Sequence, residues 1–402
     1  MLKVNKGDIP HFGFLIFICG GFSNSGYIQL ISLIIFILCS VKKIKFLSFN
    51  SLIMSQLYFS GFALLSFFWS PRIKELFTTN LGIMIAIVGI LYSTYFFNSY
   101  LKDERSNKMI INVLLLSLLF LIIQLLIKVP LNYVLDYSYW DNYGMNKNII
   151  GMNLALGAVL CFYIIYNKLS KNFLFKLLFA FFCVIVIISS SRKGLIILIG
   201  CISLYMIFSE KNAKLVRNIF IIVFAFALLY YFLRESPFLY SLIGEKMEKL
   251  FYIFEKSNIS QNDDFSIWER TFFKTYAMSM FNKNVMTKII GNGLNSFQSE
   301  MFRINYSNIA YSHCNYTELL CNFGVVGFIM YYFYKVQLLF RAFVKGLWRN
   351  ESFFIIVLII SVIIEYGFVA YYNIFYQIFI LYILFCIVNR QKYIKFNVVE
   401  KL

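Results

Sequence analysis

Histidine is nearly absent: His11 and His313 are the only two in 402 residues, and no CxxC or HxxxH spacing accompanies them. A protein metal site draws its ligands from His, Cys and carboxylates at set spacings, so the sequence provides no metal centre. The eight cysteines do not replace it. Cys19, Cys39, Cys161, Cys183, Cys201 and Cys386 fall inside apolar runs, where a thiol behaves as a small hydrophobe. Cys314 and Cys321 are seven residues apart, and on one helix that is about 10 Å of rise, too far for a disulfide. No structural disulfide is expected.

Charge is scarce as well. Only 14% of residues are charged against 60% hydrophobic, with a mean hydropathy of +0.73, which excludes an ordinary soluble domain. Acid is scarcer than base, 19 Asp and Glu against 37 Lys and Arg, for a formal net charge of +18. No cleavable signal peptide is evident, since the first apolar run lacks a small-residue cleavage site and further runs follow.

What the chain does have is long apolar runs, each able to cross a hydrocarbon core of roughly 30 Å as a helix. Twelve candidate spans lie near 11–24, 26–41, 49–69, 76–98, 109–130, 148–167, 173–190, 194–209, 216–233, 314–334, 352–367 and 372–389. The first two are short enough to form one re-entrant pair, so 10–12 transmembrane helices are expected in an all-α, polytopic integral membrane protein. Alternate connections are rich in Lys and Arg: Lys42, Lys43 and Lys45; Lys102, Arg105 and Lys108; Lys168, Lys171 and Lys176; Lys211, Lys214 and Arg217; Lys335, Arg341, Lys345 and Arg349; and Arg390, Lys392 and Lys395. Cations near span ends are retained in the cytoplasm, which places both termini there. The same bias explains most of the net charge, so no nucleic-acid partner is inferred. The expected organisation is an N-terminal bundle of about nine spans at 1–233, a large extracytoplasmic helical loop at 234–312, and about three spans with a short tail at 313–402.

Against this bias, Arg192 and Lys193 interrupt the apolar run 184–199 on the outer side. A cationic pair there is costly unless it reaches water or an anion. It either caps a helical hairpin and snorkels to the headgroups, or binds something negative. In the outer loop, residues 238–256 carry apolar side chains at helical spacing, an amphipathic pattern. A second helix is expected from Ser266, where Ser266 and Glu269 have capping-box spacing. Arg270 and Lys274 would share one of its faces, either solvated or facing an anion. Residues 290–296 read as a tight turn whose glycines, Gly291 and Gly293, permit positive φ or a close backbone approach. His313 then sits just outside a span, with Glu318 about one and a half turns further on. A histidine there can act as a general base or as a helix-end hydrogen-bonding residue. The connection 131–147 holds Tyr133, Tyr137, Tyr139, Trp140 and Tyr143 with Asp136 and Asp141, suited to sugar rings or to a membrane interface.

The ordered set of a Ser-Arg hairpin, an Arg-bearing loop helix, the turn at 291–297 and the His-Cys-Asn-Tyr-x-Glu segment running on to Gly327 resembles the O-antigen polymerase and ligase superfamily. His313 is followed by Cys314, with Asn315 one place later than the family often has it. The resemblance implies a glycosyltransferase at the outer face of the bacterial cytoplasmic membrane, with an undecaprenyl-diphosphate-linked oligosaccharide as donor and no cofactor. Its partners would be that lipid, the surrounding membrane lipids and a chain-length regulator protein. It assigns Arg192 and Arg270 to the diphosphate and His313 to the proton of the attacking sugar hydroxyl, with Lys193, Lys274, Glu318 and Asn315 as substrate-binding residues, Glu318 orienting either His313 or a sugar hydroxyl. A capsular or O-antigen polymerase is the first expectation and an O-antigen ligase, acting on lipid A core or protein, the second. A polysaccharide flippase is the rival, but an ion-coupled carrier needs acid in mid-membrane. The spans offer neutral Gln56, Asn112, Gln124, Asn153 and Gln377, with Glu365 expected near an outer end.

Overall fold

The computed structural model describes residues 8–23, 25–44, 46, 50–71, 73–101, 104–134, 136–209, 215–219, 221–223, 231, 240, 265–304, 311–344, 346 and 351–399. They form α-helices and short 3-10 turns, and no strand occurs among the described residues. In chain order the helices are α1 (Ile9–Gly21), α2 (Gly26–Ser40), α3 (Ser51–Leu65), α4 (Phe77–Tyr100), α5 (Glu104–Lys128), α6 (Lys147–Tyr166), α7 (Phe173–Ser189) and α8 (Arg192–Phe208). They continue with α9 (Phe265–Phe281), α10 (Val285–Ile290), α11 (Ser296–Arg303), α12 (Asn315–Val344), α13 (Ser352–Ile364) and α14 (Ile374–Val399). The expected spans fall on these helices except 216–233, which lies largely outside the described residues, as does the amphipathic pattern at 238–256.

Among the described residues, six helices are long and apolar enough to cross a membrane: Gly26–Lys43, Ser51–Trp69, Lys74–Tyr100, Glu104–Lys128, Lys147–Tyr166 and Asn315–Val344. Ile9–Gly21, Phe173–Ser189, Ser352–Gly367 and Ile374–Asn389 are shorter apolar helices. Leu38, Phe68, Ile127 and Val336 stand exposed on these helices, an outward apolar surface that water would not tolerate and lipid would. The chain is an all-α, polytopic membrane protein.

Polar residues start several helices by local chemistry. Asn50, Asn146, Asn172 and Ser191 cap α3, α6, α7 and α8 by accepting first-turn backbone N–H groups. Asn284 and Thr287 form a reciprocal capping box on α10.

The described chain forms two compact units, Met1–Phe120 with Arg270–Ala342 and Val362–Leu402, and Leu121–Glu269 with Phe343–Ser361. Small residues let helices close on one another in the first unit: a Cβ at Gly13 would lie 2.6 Å from Cys39, and one at Gly89 would lie 2.1 Å from the Phe17 ring. In the second unit, α6 packs against α7 and α8 through Gly151 and Gly194, where a Cβ on Gly194 would stand 2.7 Å from the Gly151 carbonyl oxygen.

One helix departs from expectation. The segment expected to cross as a single span at 314–334 is broken at Gly324 (φ 64°, ψ −168°), a conformation essentially restricted to glycine. The limb 315–323 folds back beside the limb 325–344: Tyr316 meets Phe328 and Tyr332 at ring distances of 6.2 and 5.1 Å, and Asn315 Nδ2 donates to the Tyr332 hydroxyl at 2.9 Å. The second limb alone runs for about 30 Å. A hydropathy window averages over the break because both limbs are apolar.

Candidate functional site

In the second unit, α7 ends where Ser190 takes a left-handed conformation (φ 51°), and Ser191 starts α8. The Ser191 hydroxyl accepts the Gly194 N–H at 3.2 Å and donates to the Asn148 carbonyl on α6 at 3.2 Å. Ser191 and the Gly151–Gly194 contact thus close the hairpin. Arg192 and Lys193 occupy the first two positions of α8 and are half-buried. Two positive side chains at the positive end of a helix dipole oppose helix stability, and the same arrangement suits an anion.

The first unit holds the other expected residues. Helix α9 carries Arg270 and Lys274, lying where the capping pattern predicts a helix. Its inner face, Phe273 and Ala277, is buried against Phe297, Met301 and Cys321. Lys274 Nζ lies 3.7 Å from the centre of the Tyr366 ring, a cation–π contact.

The glycine turn after α10 docks on the break in α12. Leaving the helix at Gly324 frees the carbonyls of Cys321 and Asn322, and the N–H groups of Asn292 and Gly293 donate to them at 2.9 and 2.8 Å. Gly291 (φ 75°) and Gly324 meet back to back: a Cβ on Gly291 would lie 2.3 Å from the Asn322 oxygen, and one on Gly324 2.4 Å from the Ile289 oxygen. The N–H groups of Asn292 and Gly293 are therefore already occupied, so the turn is a backbone joint and not a phosphate cradle. Asn322 tightens it, its Oδ1 accepting from the Ser296 hydroxyl at 2.8 Å and the Phe297 N–H at 3.1 Å. Its Nδ2 donates to the Tyr371 hydroxyl at 3.3 Å. Burial pushes that hydroxyl well above the ordinary tyrosine range, so it stays protonated.

His313 is itself left-handed (φ 56°), an uncommon conformation for a residue with a side chain. Its ring contacts two aromatic neighbours, near-parallel to Phe273 at 5.8 Å and tilted against Tyr311 at 4.1 Å. Phe273 follows Arg270 by one turn of α9, so the Arg-bearing turn and the histidine share this aromatic neighbour.

Glu318 and Asn315, the two polar residues expected beside His313, are engaged with other parts of the protein. Both are fully buried, Glu318 at 1% and Asn315 at 0% exposure. The Glu318 carboxylate accepts the Ser312 N–H at 2.8 Å and Asn322 Nδ2 at 3.3 Å, so it grips the residue before His313 and does not hold the imidazole. The Asn315 Nδ2 donates to the Tyr332 hydroxyl and to Glu365, while its Oδ1 accepts from the Ala370 and Tyr371 N–H groups. Two donors and two acceptors are all an amide offers, leaving nothing for a substrate.

Beneath this lies a buried ion pair that hydropathy missed. Lys335 Nζ lies 3.0 Å from Glu365 Oε1, and the two side chains are only 3% and 1% exposed. Tyr331 and Tyr376 also donate to Oε1, at 3.3 and 3.1 Å, and Tyr332 and Asn315 donate to Oε2, at 2.5 and 3.0 Å. Lys335 is therefore no cytoplasmic loop cation, because the second limb of α12 continues past it to Val344. Glu365 likewise faces the interior, so the expectation that the helices hold little acid is corrected by Glu318 and Glu365. Five hydrogen bonds on one carboxylate explain how the charge is tolerated there.

In the connection 131–147, Trp140 is wholly buried and donates Nε1–H to the Val134 carbonyl at 3.1 Å, which removes it as a sugar platform. Tyr133 and Tyr139 pack against each other, their rings tilted at 31° with centres 4.5 Å apart.

The expected site residues divide between the units: Arg192 and Lys193 in the second, Arg270, Lys274, His313, Asn315 and Glu318 in the first. Residues 177–332 match the family model described as O-antigen ligase. That match takes in the α7–α8 hairpin, α9, the glycine turn and the His313 segment, and it supports the resemblance of this part of the chain to the O-antigen polymerase and ligase superfamily. It supports polymerase or ligase activity in surface-polysaccharide biosynthesis, on lipid-linked polysaccharide substrates. No curated protein matches the chain.

Proposed function

We propose that the chain is an O-antigen or capsular polysaccharide polymerase. It transfers a growing glycan from undecaprenyl diphosphate to a lipid-linked repeat unit at the outer face of the bacterial cytoplasmic membrane, with both chain termini in the cytoplasm. The observation that carries the glycan-transfer chemistry, common to polymerase and ligase, is the family match over 177–332, which contains Arg192, Arg270 and His313 together. Their surroundings support the roles given to them. Arg192 stands at a helix N-terminus that favours an anion, and His313 packs against two aromatic rings on a left-handed backbone.

In the proposed reaction a hydroxyl of the acceptor sugar attacks the anomeric carbon of the donor. His313 takes the hydroxyl proton as the new glycosidic bond forms. The bond from the anomeric carbon to the diphosphate oxygen breaks, and its electron pair leaves with the lipid diphosphate. Arg192 and Arg270 bind that diphosphate through bidentate hydrogen bonds and stabilise the added negative charge. Lys193 and Lys274 supply further phosphate contacts.

Deleting the gene in its host and resolving the surface glycan by length tests the assignment. A polymerase leaves single-repeat glycan. Long chains retained on undecaprenyl diphosphate assign the protein as a ligase instead, and repeat units retained on the cytoplasmic side assign it as a flippase.

A further inference from the structure

We infer that Glu318 and Glu365 form a two-sided clamp that holds His313 in its left-handed conformation, making both of them positioning residues for the proposed proton transfer. The inference rests on the reading of His313 as the general base. Its geometric part stands on the structure alone.

The two carboxylates act on opposite sides of one residue. Glu318 accepts the N–H of Ser312, immediately before His313, at 2.8 Å. Glu365 accepts Nδ2 of Asn315, two residues after it, at 3.0 Å. Ser312, Cys314 and Asn315 are each fully buried at 0% exposure, whereas His313 between them is partly buried and turned to the aromatic pair. Glu365 is in turn fixed by Lys335, Tyr331, Tyr332 and Tyr376, so one end of the clamp is anchored in the bundle. A left-handed backbone on a non-glycine residue persists only where its surroundings over-determine it, and these two grips join the aromatic contacts of the ring in doing so. A base fixed in this way loses no freedom when the substrate binds.

Cys314 reports on the clamp independently of activity, because its thiol is buried beside His313. The full chain is prepared in lipid nanodiscs with Cys314 as the sole cysteine, and in a parallel set with Cys201, which is buried in α8. Alkylation by a water-soluble maleimide is followed in the parent and in Glu318→Ala, Glu318→Gln and the double variant Lys335→Met with Glu365→Leu, which removes the acceptor for Asn315 Nδ2 together with the cation. Loss of the Ser312 grip in Glu318→Ala raises Cys314 labelling by about tenfold, the scale of one buried hydrogen bond to a charged group. Glu318→Gln keeps an acceptor for Ser312 and restores slow labelling. The double variant removes the stranded Lys335 charge, yet labels fast at Cys314 and slowly at Cys201. In the transfer assay, the fast-labelling variants lower kcat and leave KM in place, because the diphosphate-binding arginines are intact.

Unchanged Cys314 labelling in Glu318→Ala and in the double variant overturns the clamp. Equal acceleration at Cys201 overturns it too, since the carboxylates would then serve general stability. Fast local labelling with an active His313→Ala variant upholds the clamp and overturns the role of His313 as the base.

Discussion

Replacing Gly324 by alanine puts the central joint of the first unit under two separate penalties. At φ 64° and ψ −168° an alanine sits in a region essentially restricted to glycine, at a cost of about 1–3 kcal/mol. Its Cβ would also lie 2.4 Å from the Ile289 oxygen and 2.6 Å from the Gly291 nitrogen. Both are backbone atoms, so no side-chain rotation relieves the contact. The glycine turn must then retreat from α12 and weaken the hydrogen bonds from Asn292 and Gly293 to the freed carbonyls, each worth about 1 kcal/mol. The sum is about 3–5 kcal/mol. At about 2–4 °C per kcal/mol for a chain of this order of size, that lowers Tm by on the order of 10 °C. Gly61→Ala is the matched control, lying inside α3 with nothing within 4 Å of its added methyl, and should leave Tm level or raise it slightly. Thermal unfolding of the detergent-solubilised protein, followed by tryptophan fluorescence, reads both. A Gly324→Ala variant melting within a degree or two of the parent would refute the back-to-back glycine joint.

Three further outcomes follow from the same geometry. Lys335→Met leaves Glu365 buried without its cation and should cost about 3–5 kcal/mol, while the double change with Glu365→Gln regains most of it; thermal unfolding of the pair and the two singles forms a double-mutant cycle. Ser191→Ala removes the cap of α8 and its bond to Asn148, and should lower stability by about 1–2 kcal/mol without altering glycan length. Arg192→Lys and Arg270→Lys keep the charge but lose the planar fork; each should lower transfer activity at least about tenfold at unchanged Tm, measured on lipid-linked repeat units.

The helices were legible because membrane-length apolar runs and loop cations are written locally, and α1 to α8 fall where those signals put them. The Ser191 to Gly194 hairpin was legible too, as a charged interruption in an apolar run, although its closure by Ser191 and by Gly151 needed the neighbouring helix. Gly324 was hidden. A glycine inside an apolar helix carries no sign of whether its φ is positive, and its partner Gly291 lies 33 residues earlier in the chain. That break is what brings Asn315 beside Tyr332 and makes room for Glu365, so the whole buried network was invisible with it. Lys335 was misread for a related reason: hydropathy ends a span at the first lysine, but a cation can stay inside when a carboxylate 30 residues later meets it at 3.0 Å. Glu318 and Asn315 were correctly singled out as polar residues near His313, and only their three-dimensional partners reveal that they hold the backbone.

The most direct measurement is a reconstituted transfer assay with a defined undecaprenyl-diphosphate-linked repeat unit as both donor and acceptor. Parent protein in lipid vesicles should build a ladder of longer lipid-linked glycans and release undecaprenyl diphosphate in step with it. His313→Ala and Arg270→Ala, inserted and melting like the parent, should give no ladder. A ladder of normal length from His313→Ala, or none from the parent, would contradict the account.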